Sequence, residues 1–357
     1  MKALDNDRRR RWAGCLALLL GWLAAAAPAP ARAAAPGGAP IAPADWQAYR
    51  AKFVREDGRV VDDGNGGISH SESQGYGLIL AYLAGDRAGF ERIWTFTRLE
   101  LLIRDDGLAA WKWDPAANPH VTDINNASDG DLLIAYALGL AGAAWKIPAY
   151  LVAGRKIATA LGEKAVRREG GKLLLMPGVE GFNRADRPDG PVVNLSYWVF
   201  EAFPVMSRLA PGTDWAGLSD QGLALVDAFA KAGKVFPEWT SLRDEPAPAA
   251  GFEAVSGYNA LRVPLYVLRA GLADRQRLAT IQRAWEGGPG IVDFASGRKT
   301  TPLPEPGYRM LQAGLACALS GARIPDDLRR FEPTLYYPST LHLLGLSTIA
   351  DRYPQCL

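Results

Sequence analysis

The sequence predicts an all-α fold, one domain of paired helices arranged as a toroid or an array of helical hairpins. Three observations carry this. Amphipathic segments of helical period recur along the chain, and several sit in adjacent pairs. Loops rich in Gly, Pro, Asp and Asn separate them. No stretch alternates apolar and polar residues over enough strands to build a β-sandwich.

The first element is a targeting segment. Arg8 to Arg11 precede an apolar run from Cys15 to Ala27, and the segment closes on Ala-Arg-Ala-Ala-Ala. That is the layout of a secretory signal peptide, with cleavage expected near Ala33, so residues 1–34 are assigned to it and the mature chain to the periplasm or the medium. Its apolar run is shorter than the roughly 20 residues that span a bilayer. Losing it removes Lys2, Arg8, Arg9, Arg10, Arg11 and Arg32 but only Asp5 and Asp7, which takes the net charge from +2 to about −2. A near-neutral mature chain gives no reason to expect nucleic acid or an anionic membrane as partner.

A Pro/Ala/Gly-rich leader, 35–43, follows, and 44–357 is expected to form the single helical domain. Helices are predicted at 44–55 after Pro43, at 73–84 up to Gly85, and at 87–103 up to the Asp105–Gly107 turn. The next are 131–145 behind an Asp/Asn-rich loop, 148–162 opened by Pro148, and 196–208 before Pro211-Gly212. Segments 218–232, 257–271 and 274–285 each run to a glycine or glycine pair, as does 307–319, and 334–350 closes the series. Gly171 to Met176 is the one short strand expected, beside a hairpin. The acidic, Pro-rich loop 243–250 is the best linker candidate, yet helical pairs continue on both sides of it. After cleavage only Cys317 and Cys356 remain; an oxidising compartment permits a bridge between them, while the apolar surroundings of Cys317 equally suit a buried thiol. His70, His120 and His342 show no zinc-ligand spacing, so no metal site is expected.

Two constellations carry chemistry. His70-Ser71-Glu72-Ser73-Gln74-Gly75-Tyr76-Gly77 puts a carboxylate at a helix entrance. Such an entrance favours the ionised form, so a general acid there needs burial or a neighbouring carboxylate to keep its proton. The plain alternative is that Ser71, Glu72 and Ser73 merely cap the helix. The glycines allow a chain or a substrate to approach the backbone closely. In the second constellation, Asp123 to Asp131, Ser128 and Asp131 have capping-box-like spacing, which leaves Asp123 and Asp129 unexplained. Acidic residues at two separate helix entrances are what a glycosidase pair requires. A calcium loop is the rival reading, although the EF-hand ligand order is missing. Tyr76, Trp111, Trp113, Tyr197, Trp198, Trp239 and Tyr258 lie near these loops, and such side chains stack on the apolar faces of sugars. Trp111 and Trp113, in a polar stretch, are the favoured platform.

The stretch Ala127-Ser128-Asp129-Gly130-Asp131-Leu132-Leu133-Ile134-Ala135-Tyr136-Ala137-Leu138, continuing through Ala141 to Trp145, resembles the signature of glycoside hydrolase family 8. Ser71 to Gly77 resembles the family's Ser-Glu-Gly-Gln-Gly-Tyr-Gly stretch, Asn194-Leu195-Ser196-Tyr197 its Asn-Pro-Ser-Tyr, and Ser256 to Pro264 its Tyr-Asp-Ala-x-Arg segment. The resemblance covers about 44–350. It implies an (α/α)6 barrel and a cofactor-free, inverting endo-hydrolysis of β-1,4-glucan, nearest in kind to periplasmic endoglucanases that accompany bacterial cellulose synthases. By the same resemblance Glu72 is the general acid and Asp129 holds the sugar at the cleavage point. Tyr197 and Arg262 position the attacking water, and Tyr76, Trp111, Trp113, Asp123, Asp131 and Tyr258 are the expected substrate contacts.

One position departs from the pattern. Where many members carry the Asp that serves as base, this chain has Asn259, and an amide orients water but cannot take its proton. A base recruited from elsewhere is expected among Glu253, Glu180, Asp186, Asp189 and Glu238, with Glu253 first because it is six residues before Asn259. The other readings are a glucan-binding protein that lost catalysis at Asn259, and a chitosanase or xylanase on the same fold.

Overall fold

Inner helices that are buried along their length and outer helices that are amphipathic are the two populations in the computed structural model, which describes residues 37–357. The targeting segment 1–34 and the start of the leader lie outside the described residues. Eleven α-helices are present among them. α1 is Pro43–Phe53, α2 Ser71–Leu83, α3 Arg87–Phe96, α4 Ser128–Trp145, α5 Pro148–Lys164 and α6 Phe203–Leu209. α7 is Trp215–Lys231, α8 Arg262–Arg269, α9 Arg275–Ala284, α10 Pro306–Ser320 and α11 Tyr336–Arg352. The all-α expectation holds, and consecutive helices pack as pairs into the (α/α)6 barrel, with α11 against α1 and α2 at the closure.

Composition separates the two populations. α2 and α4 carry Gly, Ala, Leu and Ile around the whole circumference and are buried on nearly every face, as expected of helices surrounded by others. α3, α5, α7 and α9 expose their charged residues and bury one stripe. The two inner helices approach closely because Gly75 and Gly130 have no side chain: a Cβ on Gly75 would stand 2.5 Å from Leu133 Cβ, and one on Gly130 would stand 2.0 Å from Ser71 Oγ. The closeness allowed by these glycines is therefore spent on helix packing.

Boundaries moved where capping chemistry differs from spacing. α4 begins at Ser128 behind Ala127, with no side-chain cap, so the capping-box reading of Ser128 and Asp131 is corrected: Ser128 Oγ donates to the carbonyl of Met176, while the Asp131 carboxylate accepts from Ala109 N–H at 2.8 Å and Asn126 Nδ2 at 2.9 Å. The segment predicted at 196–208 opens with two short 3-10 turns, Leu195–Tyr197 and Phe200–Ala202, before α6. The predicted 87–103 helix ends in a π-helical turn, Thr97–Leu101. The strand expected at 171–176 is Lys172–Leu175, paired antiparallel with Val166–Glu169.

Three small sheets position the loops at one end of the barrel. Ser69–His70 pairs with Lys112–Trp113, in the register Ser69 to Trp113. Val192–Val193, Thr240–Ser241 and Ala247–Pro248 form a second sheet, and Val255–Ser256, Gly290–Asp293 and Lys299–Pro302 a third. Cys317 of α10 and Cys356 are joined by a disulfide, which settles the alternative left open by the sequence. The bridge constrains the unfolded chain across a separation of 39 residues.

Candidate active site

The side chains singled out in the sequence meet where the inner helices begin. Glu72 is the second residue of α2, Asp129 the second of α4 and Arg262 the first of α8. Arg262 is 1% exposed and is the hub. Its Nη1 donates to Glu72 Oε2 at 2.6 Å and to Asp129 Oδ2 at 2.8 Å, and its Nη2 donates to Ser196 Oγ and to Asn259 Oδ1, each at 2.9 Å. The guanidinium also faces the Tyr197 ring, 5.6 Å from its centroid. A planar fork with several fixed donors suits this task as lysine would not.

The electrostatics follow from two carboxylates sharing one cation in a buried place. Burial pushes the Asp129 carboxyl up to about 6, Arg262 opposes this, and the negative charge of Glu72 adds to it. Burial, reinforced by the charges of Asp129, Glu72 and Glu238, raises the Tyr197 phenol, so it stays a donor.

Asn259 faces Glu238, not the Glu253 that sequence distance put first. Its backbone N–H donates to Glu238 Oε1 at 2.8 Å, and its Nδ2 reaches Glu238 Oε2 at 3.4 Å. The backbone bond from Glu238 N–H to the carbonyl of Val255, at 2.9 Å, stitches these two loops together. Burial raises the Glu238 carboxyl, against the Asn259 hydrogen bonds and Arg262. Glu253 is exposed. Asp186 accepts from the backbone of Gly181 and Asn183, and Asp189 accepts from Ala250 N–H, so both brace loops; Glu180 is exposed and its backbone carbonyl accepts from Asn125.

Glu72 and Asn259 open into a cleft of about 460 Å³, bounded by Asp62, His70, Tyr258, Tyr308 and Tyr337 among others. Tyr258 is 48% exposed and stands in a row with Tyr308 and Tyr337, successive ring centroids 6.1 Å apart. A second row, Phe182, Trp239 and Phe252, stacks nearly parallel, and Trp239 meets Tyr197 edge-on. Trp111 and Trp113 are half-buried, with Trp111 Nε1 bonded to exposed Asp123 at 2.8 Å and Trp113 lying between Phe96 and His120. A larger cavity of about 630 Å³ surrounds Arg269 and Glu201 at the other end of α8 and contains none of these carboxylates.

Two expected substrate contacts are corrected. Tyr76 is fully buried, with its hydroxyl bonded to that of Tyr266, and presents no face to the cleft. Asp131 is also fully buried and saturated by the Ala109 and Asn126 donors. Sequence reasoning missed Asp62, Tyr308, Tyr337, Phe182 and Phe252; only their aromatic or acidic type, with no local motif, could have marked them.

Asp131 gives a test of the site's cost to stability. Burial pushes its carboxyl up to about 7 from an ordinary 3.8, so the folded chain holds this proton more tightly than the unfolded chain. The stability it contributes is complete below pH 3.8 and is lost as pH rises through about 7. Asp129 acts in the same sense up to about 6. Asp86 and Asp106 are partly buried, but hydrogen bonds from Trp46 and Arg104 hold them below the ordinary value, so they act in the opposite sense in acid. The thermal unfolding midpoint is expected to peak near pH 4–5 and to fall toward pH 8. Asp131→Asn should flatten that fall, and scanning calorimetry that finds an unchanged slope would remove Asp131 as its cause.

Residues 9–288 match the family described as glycosyl hydrolases family 8. A probable endoglucanase of Novacetimonas hansenii is 36% identical over 273 residues, 74% of this chain and 79% of that protein. The endo-β-1,4-glucanase CMCax from Acetobacter xylinum superposes with a TM-score of 0.76 at 33% identity, over 87% of this chain and 98% of that one. An endoglucanase from Komagataeibacter sucrofermentans gives 0.75 at 32% identity, over 87% and 99%.

Proposed function

Because this chain belongs to glycosyl hydrolase family 8, and is therefore a glycoside hydrolase, we propose that it is an endo-acting β-1,4-glucanase that cuts cellulose or a related glucan with inversion. The observation that carries the reading is the Arg262 fork, which ties Glu72 to Asp129 beside an open cleft walled by tyrosines. In this mechanism Glu72 protonates the glycosidic oxygen as the bond to the anomeric carbon breaks. Asp129 faces the positive charge that develops on the sugar. A water on the opposite face, oriented by Tyr197 and the Asn259 amide, attacks the anomeric carbon and gives its proton to Glu238. Glu238 supplies the carboxylate that Asn259 lacks, and its raised affinity for protons suits a base. An inverting pair needs about 6.5–9.5 Å between carboxyls to leave room for that water.

The aromatic rows supply the apolar faces on which glucose rings stack. The disulfide and the expected signal peptide agree with work outside the cytoplasm, and no helix among the described residues is long and apolar enough to cross a membrane. We place the enzyme in the periplasm or the medium, trimming glucan as a cellulose synthase delivers it. The purified chain is expected to collapse the viscosity of carboxymethyl cellulose well before reducing ends accumulate, the mark of internal cuts. Binding of glucan without any viscosity loss, on this polymer or on chitosan and xylan, would overturn the hydrolase reading.

A further inference from the structure

Glu72 owes its place to the first turn of α2, and that turn is built by His70. Ser69 and His70 are clamped to Lys112 and Trp113 by strand pairing, and Ser71 N–H donates to the carbonyl of Trp111 at 3.0 Å. His70 is the residue just before the helix. Its Nδ1 accepts from Ser73 N–H at 3.0 Å, while its own N–H donates to Ser73 Oγ at 3.0 Å, a reciprocal cap. An amide N–H only donates, so Nδ1 carries no proton, and the neutral ring holds its proton on Nε2. That nitrogen points at Asp62 Oδ2, 3.2 Å away.

Two demands on this ring therefore conflict. A second proton belongs on Nδ1, where it would confront Ser73 N–H donor to donor and release the cap. The surroundings nevertheless invite that proton: burial resists it, but Asp62 from the preceding loop, Glu72 from α2 and Asp129 from α4 together raise the imidazole's affinity for protons. Other neighbours are Lys112, paired with His70 across the strands, the Tyr336 ring of α11, edge-on at 5.8 Å, and Arg59, which bonds Ser69 Oγ. Arg262 of α8 is already engaged with Glu72 and Asp129. His70 and Asp62 both line the cleft.

We propose that His70 is a positioning residue for Glu72: as a neutral ring held by Asp62 it fixes the turn from which Glu72 reaches the cleft, and its protonation loosens that turn. This rests on the reading of Glu72 as the general acid. The effect on rate follows because a displacement of about 1 Å at a reacting group can cost up to about 10²-fold. The enzyme should thus lose activity in acid through the protonation of His70 in addition to those of the base and of Asp129.

The test uses the full chain. Nitrogen-15 spectra of the histidine rings should show His70 in the Nε2–H form at high pH, with the Ser73 amide shifting as the ring titrates. On carboxymethyl cellulose, His70→Ala should lower kcat about tenfold or more with KM nearly unchanged. His70→Asn, whose side-chain oxygen can accept from Ser73 N–H, should restore most of that loss and remove one ionisation from the acid limb. An Nδ1–H tautomer at high pH, a kcat in His70→Ala equal to wild type, or an acid limb unaltered in His70→Asn would each overturn the proposal. Should wild type hydrolyse no glucan, the functional reading fails, whereas the spectra still decide whether His70 caps α2 and releases it on protonation.

Discussion

Glu72→Gln is expected to lower kcat on carboxymethyl cellulose by about 10²–10⁴-fold, the usual contribution of a positioned general acid, while the glucan still binds. The amide keeps the shape of the side chain at the start of α2 and faces the same Arg262, so the barrel should fold unchanged. What it lacks is a proton to give to the departing sugar oxygen. That loss depends on the leaving group. With an activated aryl cellooligosaccharide, whose phenolate departs without protonation, most of the rate should return; equal losses on both substrates would assign Glu72 to binding or to structure instead.

Glu238→Ala is the second large effect expected, about 10²-fold or more on kcat. Removing the side chain leaves Tyr197, Arg262 and Asn259 to orient a water that has no proton acceptor. A small anion that needs no deprotonation should then substitute for the water. Azide is expected to restore turnover in Glu238→Ala and to yield the α-glucosyl azide, the stereochemical signature of attack opposite the β-linkage. Asn259→Ala should be milder, since it removes one hydrogen bond to Arg262 and one to Glu238 and no proton acceptor. If Glu253→Ala behaves like Glu238→Ala in this assay, the base was assigned to the wrong loop.

The contrast between these two glutamates shows where sequence reading reached and where it stopped. Helices were legible because glycine, proline and short polar residues end them locally, and because α2 and α4 carry apolar side chains on every face. Glu72, Asp129, Tyr197, Asn259 and Arg262 were legible as motif residues, and the structure brings them together around one guanidinium. Glu238 stands 21 residues from Asn259 and reaches it only because two loops are joined by a backbone hydrogen bond. Nearness along the chain carries no information about that pairing. Asp131 and Tyr76 failed as substrate contacts for different reasons: Asp131 is two positions after Asp129, so helical geometry turns it to another side, whereas Tyr76 shares the face of Glu72 but lies one turn further along α2, in the packed interior with its hydroxyl on Tyr266. The reciprocal cap at His70 was hidden because histidine is an uncommon residue for that position.

The beginnings of α2, α4, α8 and α11 lie at one rim of the barrel, and the chemistry is mounted there, while Arg269 and Glu201 occupy the far end of α8 and the Cys317–Cys356 bridge ties α10 to the chain's last turn. Inheritance can therefore act on the two ends separately. Insertions or exchanges in the loops that lead into these helices alter which polymer is gripped and which residue takes the water's proton, with the packed helices left as a reusable chassis. The proposed partnership of Asn259 with Glu238 from a neighbouring loop fits such a division, and it makes this rim the place to graft new specificity.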